Sequence, residues 1–411
     1  MKDDGNAIRK VLDYNWKYGY CSHIVAFEGT EIIRRLRLSS GMIAFGMIDG
    51  RVCVINLETG EILNKFHEHS TEISAIDFNG NYLATGGADG LVVITDLKNN
   101  VINKDNSKIS KASNTYNLFK RSVSGIRILT SANKKLLVSA SMDKWVKAID
   151  IDTGDIRFQL ELSSVPLCLD VFEDYISVGC YDGRIIFISA RSGKQILTFQ
   201  AHNSRVRSIH LMSKSVLFTG GGDGIVKKWD LSGESASKPV GVINRPTGFL
   251  DYFFSDAINA KGEASVTTSS SDNTSNQSKG SENVRVFEHS SKSPVVAIQG
   301  DDDKVIVAYD DGMISSWDVQ SGKSMFDLKG RSNLISSLQF DETRLVADGT
   351  HSIVVIHDFN NTENSDSDLQ YELSNNEYDD DDNDDNDSVI DQNNDNDNDD
   401  DDDDGTPSAT S

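Results

Sequence analysis

The sequence predicts an all-β fold, a seven-bladed β-propeller of four-stranded repeats, and three observations carry that prediction. A turn element recurs seven times, with its aspartate or equivalent residue at 49, 89, 143, 182, 223, 311 and 351. The intervals are 40, 54, 39, 41, 88 and 40, and a period near 40 marks a repeat architecture. Upstream of the turn runs an apolar pattern with gaps of three and then two, as in Ile33/Leu36/Leu38, Ile73/Ile76/Phe78, Val123/Ile126/Ile128, Val206/Ile209/Leu211 and Ile335/Leu338/Phe340. Finally, no useful helical periodicity occurs between 30 and 360. Alternation, β-branched residues and Asp-Gly turns read as short antiparallel strands, and four strands per repeat make a propeller blade.

The elements follow in chain order. AIRKVLDYNWKYGY, at 7–20, predicts a short helix ending near Gly19, inside a lead-in spanning 1–21. HIVAFEG, at 23–29, has the pattern of an outermost strand but precedes the first blade. Blade seven ends at Phe359 without such a strand, so 23–29 is expected to complete it and close the ring, removing an exposed sheet edge. The 54-residue interval is accounted for by 98–121, a polar loop with six Lys or Arg and one Asp. The 88-residue interval holds one repeat plus a Ser/Asn-rich insertion at about 232–282, whose composition predicts disorder. NVRVFEHSS, at 283–291, then reads as the outermost strand of blade five. The propeller thus spans 22–360 and an acidic disordered tail 361–411.

Charge divides the chain the same way. The net charge is −24, yet 361–411 alone holds 21 of the 64 acids and no Lys or Arg. The remaining 360 residues are nearly balanced, which argues against a body built to grip nucleic-acid phosphates. No run of 18 apolar residues and no signal-type N-terminus occur, so neither membrane spanning nor secretion is expected. The four cysteines form no CxxC pair and have no histidine at zinc spacing, so free thiols, no metal centre and no cofactor are expected. A cytoplasmic or nuclear setting fits these thiols.

One stretch imitates an enzyme motif. FTGGGDGIVKKWD, at 218–230, packs four glycines ahead of two lysines. A phosphate-binding P-loop needs Gly, four residues, then Gly-Lys-Ser/Thr opening a helix. Here a strand follows, and the lysines come too late. Ser321-Gly322-Lys323-Ser324 fails as well, because Trp317 stands where the first glycine belongs. The glycines serve a hairpin turn, and no nucleophile, base or metal-ligand set appears elsewhere.

These repeats resemble the WD-repeat family of β-propellers across residues 22 to 360. The Trp-Asp pair stands at Trp229-Asp230 and Trp317-Asp318, and is replaced by Thr95-Asp96, Ile149-Asp150 and His357-Asp358. The resemblance implies a buried His–Ser/Thr–Asp–Trp network, carried in blade five by His202, Thr219, Asp223 and Trp229. Blade two keeps His69, Thr85 and Asp89, with Thr95 in the tryptophan's place; blade six keeps His289, Asp311 and Trp317, with Val307 in place of the hydroxyl. The family usually docks partners on the top face, through the residue before each turn aspartate and the residues entering each innermost strand. Here these are Ile48, Ala88, Met142, Tyr181, Gly222, Asp310 and Thr350, joined by Glu72, Arg205 and Arg331. Met142, Tyr181 and Arg205 fall on successive blades and are interface-favoured types, so they form the expected partner site with Arg331 and Asp310.

The expected function is therefore a non-enzymatic scaffold for protein or peptide partners, with basic proteins as candidates for the acidic tail. The lead-in is similar to the linker between F-box and propeller in F-box/WD proteins, which implies, as the alternative, a substrate receptor of an SCF-type ubiquitin ligase. The F-box itself is absent from these residues. A catalytic propeller lacks any residue set to carry it.

Overall fold

The apolar repeats form seven four-stranded antiparallel sheets. This computed structural model describes residues 2–98, 113–131, 134–232, 284–289, 292–329, 335–349 and 352–360. All lie within one unit, residues 1–365. Most of the Ser/Asn-rich insertion, the tail from 361 onward, Arg331 and Thr350 fall outside the described residues, as does 99–112.

Blade five shows the common plan. Its strands are Val206–Leu211, Val216–Gly221, Ile225–Asp230 and Val284–Glu288, each hydrogen-bonded to the next. In most blades the second and third strands are buried runs rather than alternations, as in Val52–Ile55, because neighbouring blades cover both faces. The buried side chains fall into seven clusters, and each cluster joins two adjacent blades. Val138, Val146, Ile176 and Ile186, for example, fill the space between blades three and four. A blade alone could not bury its faces, so stability belongs to the ring.

The ring closes as the sequence implies. Ser22–Glu28 pairs antiparallel with Ile353–Asp358, from Ser22 opposite Asp358 to Glu28 opposite Ile353, with a bulge between Val25 and Phe27. Blade seven is thereby completed by the chain's N-terminal strand.

Two expectations need correction. The lead-in helix is longer than a short cap: it runs Lys2–Tyr18, and Gly19 at φ 77° ends it with its N–H on the Asn15 carbonyl. Trp16 anchors it, 4% exposed and stacked on Phe359 at 3.7 Å, with its indole N–H on the Glu342 carbonyl at 2.8 Å. The basic segment 98–121 is not wholly loop either. Ser113–Asn117 is the outermost strand of blade two, pairing Thr95 with Ser113 and Leu91 with Asn117. Its polar side chains hid it, since SNTYN lacks the apolar residues that mark the outermost strands at 23–29 and 283–291. No helix among the described residues is long and apolar enough to cross a membrane.

Candidate functional site

Three tiers of residues build the two ends and the axis of the ring. The first is the set of hydrogen-bonded locks inside blades. In blade five, Trp229 donates its indole N–H to Thr219 Oγ1 at 2.9 Å, and Thr219 Oγ1 lies 2.8 Å from His202 Nε2. His202 Nδ1 sits 3.3 Å from Asp223. The network itself assigns the tautomer: Nδ1–H donates to the carboxylate and Nε2 accepts from the threonine hydroxyl. Burial opposes ionisation of Asp223, but His202 and nearby backbone N–H groups outweigh it and hold the carboxyl below its usual range. A Cβ on Gly221 would come 2.0 Å from Asp223 and 2.5 Å from His202, so the lock requires glycine there. Gly224 turns the hairpin at φ 77° while Asp223 caps the Ile225 N–H, which answers the glycine-rich stretch as architecture.

Blade two repeats the histidine half, with His69 Nε2 at 2.9 Å from Thr85 Oγ1 and Nδ1 at 3.3 Å from Asp89. Thr95, in the tryptophan's place, donates to Glu68 instead, at 2.8 Å. Blade six departs from the expected pairing. Tyr309 occupies the position of Gly221, in the space a His–Asp contact would need. His289 packs on the Tyr309 ring, with centroids 5.1 Å apart, and its Nε2 lies 3.5 Å from Asp327. Asp311 caps the Met313 N–H. The Tyr309 hydroxyl and the Trp317 N–H are near enough to influence one another, yet neither makes a hydrogen bond of good geometry.

The second tier lines the axis. Each innermost strand contributes one polar residue at the same register: Arg37, Asp77, Arg127, Asp170, His210, Gln299 and Gln339. Each reaches the next blade. Arg37 meets the Ile76 carbonyl and Asp77, both at 3.3 Å, and Asp77 accepts from the Ile128 N–H at 2.7 Å. Arg127 pairs with Asp170 at 2.7 Å, and Asp170 accepts from Leu211 N–H at 2.8 Å. His210 Nδ1 lies 3.3 Å from Asp170 and its Nε2 donates to Gly300 O at 3.0 Å. Gln299 bonds the Phe340 N–H and carbonyl, both at 2.9 Å, and Gln339 accepts from Leu38 N–H, returning to blade one. Burial opposes the Asp170 charge, but Arg127 and His210 outweigh it and hold that carboxyl well below the usual range. Burial and the nearby Arg127 bring Arg37 down to about 10. The belt surrounds a cavity of about 120 Å³ whose lining includes Arg35, Arg37, Arg127 and Arg207. Its sequence signal was present: the residue in the two-residue gap of each apolar pattern is polar in every copy.

The third tier is the top face. The N–H before each turn aspartate donates to the residue entering that blade's innermost strand: Ile48 to Ile32, Ala88 to Glu72, Met142 to Ser122, Tyr181 to Val165, Gly222 to Arg205 and Asp310 to Pro294, at 2.8–3.0 Å. One bond repeated in six blades puts these residues on one rim. Blades one, three and four present exposed apolar side chains there, Ile32, Ile48, Met142 and Tyr181, the last to 60%. Blades five and six present charge. The Arg205 stem lies over Gly222, while Asp310 is tied to Arg207 at 3.2 Å, and Glu72 on blade two to Arg34 at 3.0 Å. Ile32 was missed in the sequence because nothing local marks the residue before a strand as exposed.

The cysteines also differ from expectation at one point. Cys53 and Cys180 are buried free thiols, but Cys21 does have histidines beside it. Its sulfur lies 4.0 Å from His357 Nδ1, which is 2.9 Å from His23 Nδ1.

The comparisons agree with this geometry. The family described as "WD domain, G-beta repeat" matches residues 60–96 and 193–230, the repeats ending in Asp96 and Asp230. The chain is 24% identical over 247 residues to a p21-activated protein kinase-interacting protein 1-like from Danio rerio, covering 51% of this chain and 66% of that protein. It is 28% identical over 177 residues to pre-mRNA-processing factor 19 from Caenorhabditis elegans, covering 41% of this chain and 34% of that protein. The chain thus spans two thirds or less of these relatives. In fold it is similar to the solved structure of U3-55K, with a TM-score of 0.60 at 18% identity, covering 82% of this chain and 98% of that one. Seven four-stranded blades and two matched repeats make this a β-propeller built of WD-type repeats, similar to the WD-repeat family.

Proposed function

We propose that this protein is a non-enzymatic scaffold that docks a protein or peptide partner on the apolar arc of its top face. The observation that carries the reading is the grouping of Ile32, Ile48, Met142 and Tyr181 on one rim, exposed, while blades five and six present Arg205 and Asp310 there. Exposed apolar groups rimmed by polar ones mark interaction surfaces, and aromatic and methionine side chains supply much of the energy in interface cores. The belt and the seven inter-blade cores keep that rim rigid, so docking costs little ordering. Arg205 lies next to the arc and favours an acidic group on the partner. The acidic tail adds salt-sensitive attraction for basic partners. One relative is named for interaction with a protein kinase, which supports partner docking as the general role.

The narrower reading as a ubiquitin-ligase substrate receptor rests on the lead-in alone. Asn15 and Trp16 of that segment are engaged with Phe359 and Glu342, so the propeller accounts for its anchoring residues.

The test is capture of partners from cells with wild type, Met142→Ala/Tyr181→Ala and the outer-strand control Ile156→Ala. The top-face pair should weaken the main partner by ~1 kcal/mol or more per residue with an unchanged melting temperature. Equal loss in the Ile156→Ala control would remove the top face as the docking site.

A further inference from the structure

Blade seven departs from its sister blades at one place, and the departures converge. His357 stands where Trp229 and Trp317 stand in blades five and six. Across the sheet, those tryptophans face Val284 and Ser324, and the equivalent Thr95 faces Ser113. In blade seven the facing residue is His23. Two residues before it, just ahead of the strand and 4.0 Å from His357 Nδ1, comes Cys21. A thiol and two imidazoles thus replace an indole and a small or apolar partner.

We propose that Cys21, His23 and His357 form a binding site for a divalent transition ion of borderline softness, such as zinc, at the seam that closes the ring. The three ligand atoms lie within 4.8 Å of one another. Tetrahedral zinc, with bonds of about 2.0–2.1 Å to nitrogen and 2.3 Å to sulfur, needs N···N and N···S separations of about 3.3 and 3.6 Å. The observed separations are 2.9 Å between the imidazole nitrogens and 4.0 Å from sulfur to His357. Side-chain rotations must open the first by about 0.4 Å, close the second by about 0.4 Å, and draw the Cys21 and His23 ligand atoms, within 4.8 Å, to the same N···S separation. The chemistry of the set fits as well: thiolate and imidazole favour zinc, copper or nickel over magnesium or calcium. On binding, the Cys21 thiol releases its proton to solvent. Each imidazole keeps one proton, at Nε2, and presents Nδ1 to the ion. Three protein ligands leave a fourth position for water, and the exposure of His23 opens a path for the ion.

The place gives the site a role. Cys21 and His23 belong to the N-terminal segment, His357 to the last strand of the repeats, 334 residues away. An ion held by both ties the strand that completes blade seven, and stabilises the closed ring by mass action.

The experiment uses the full chain, reduced and freed of metal, titrated with CoCl2 and then ZnCl2. The aspartate-rich tail offers only oxygen ligands, so the readout is the thiolate-to-cobalt charge-transfer absorption, with its displacement by zinc. The expected result is one such site per chain and a zinc-dependent rise in melting temperature that chelator reverses. Cys21→Ser should abolish the band. His23→Gln, at an exposed position that leaves the fold intact by circular dichroism, should weaken zinc binding by about tenfold or more. No thiolate band in wild type, or zinc binding and stabilisation that persist in the Cys21→Ser/His23→Gln double variant, would overturn the proposal. Partner capture through the top face is independent of either result.

Discussion

Blades five and six carry the same tryptophan and turn aspartate but hold them differently. In blade five one threonine hydroxyl serves both the indole and the histidine, and the histidine serves the aspartate. In blade six Val307 replaces the hydroxyl and Tyr309 the glycine, so the histidine moves onto a phenol ring and a different carboxylate. Both tryptophans are equally buried, at 7% exposed. Packing of the indole is therefore common to the two blades, and the hydrogen-bonded lock is not. Burial sets the position of the tryptophan; the lock refines it.

The largest effect should come from removing that packing. Trp229→Ala is expected to cost ~3–5 kcal/mol in urea unfolding, through a cavity between blades four and five and the loss of its bond to Thr219. A loss below about 1 kcal/mol would mean that the indole is not a core element.

A middle-sized effect separates the two blades. Thr219→Val strands the Trp229 N–H and His202 Nε2 in a buried place and should cost ~1–3 kcal/mol. Tyr309→Phe removes a buried hydroxyl that makes no good hydrogen bond, and should be neutral or stabilising by up to ~1 kcal/mol. Comparable destabilisation by both variants, read from their urea midpoints, would erase the distinction drawn between the blades.

The smallest effect is in pH. The folded state holds the Asp223 carboxyl below its usual range, so its contribution to stability is present above the unfolded carboxylate pKa, near 4, and is lost as pH falls through the folded value. Asp223→Asn should flatten that acid limb of the melting curve. An identical slope in variant and wild type would show that the carboxylate does not contribute, and would reduce the lock to its threonine and tryptophan.

The turns were legible because they are local. An aspartate that caps the N–H two residues on, followed by a residue at positive φ, is written in three adjacent letters, even in blade three, where Lys144 takes φ 75° without glycine. The outermost strand at 113–117 was not legible, because SNTYN carries polar residues where the outermost strands HIVAFEG and NVRVFEHSS carry apolar ones. The blade-six pairing misled for another reason: His289, Asp311 and Trp317 were all present, and the substitution that displaced the histidine was a tyrosine two residues ahead of the aspartate.

By itself the sequence determined the class of fold, the number of blades and the strand that closes them, since period, alternation and turn chemistry act over a few residues at a time. The tertiary structure alone decided which side chains meet across the ring. Gln339 reaches Leu38 from 301 residues away, the Tyr181 and Ile48 side chains share one rim, and Cys21 comes beside His357 from 336 residues away. Such meetings depend on the geometry of closure, which adds up small rotations from seven blades, and no local pattern encodes a sum of that kind.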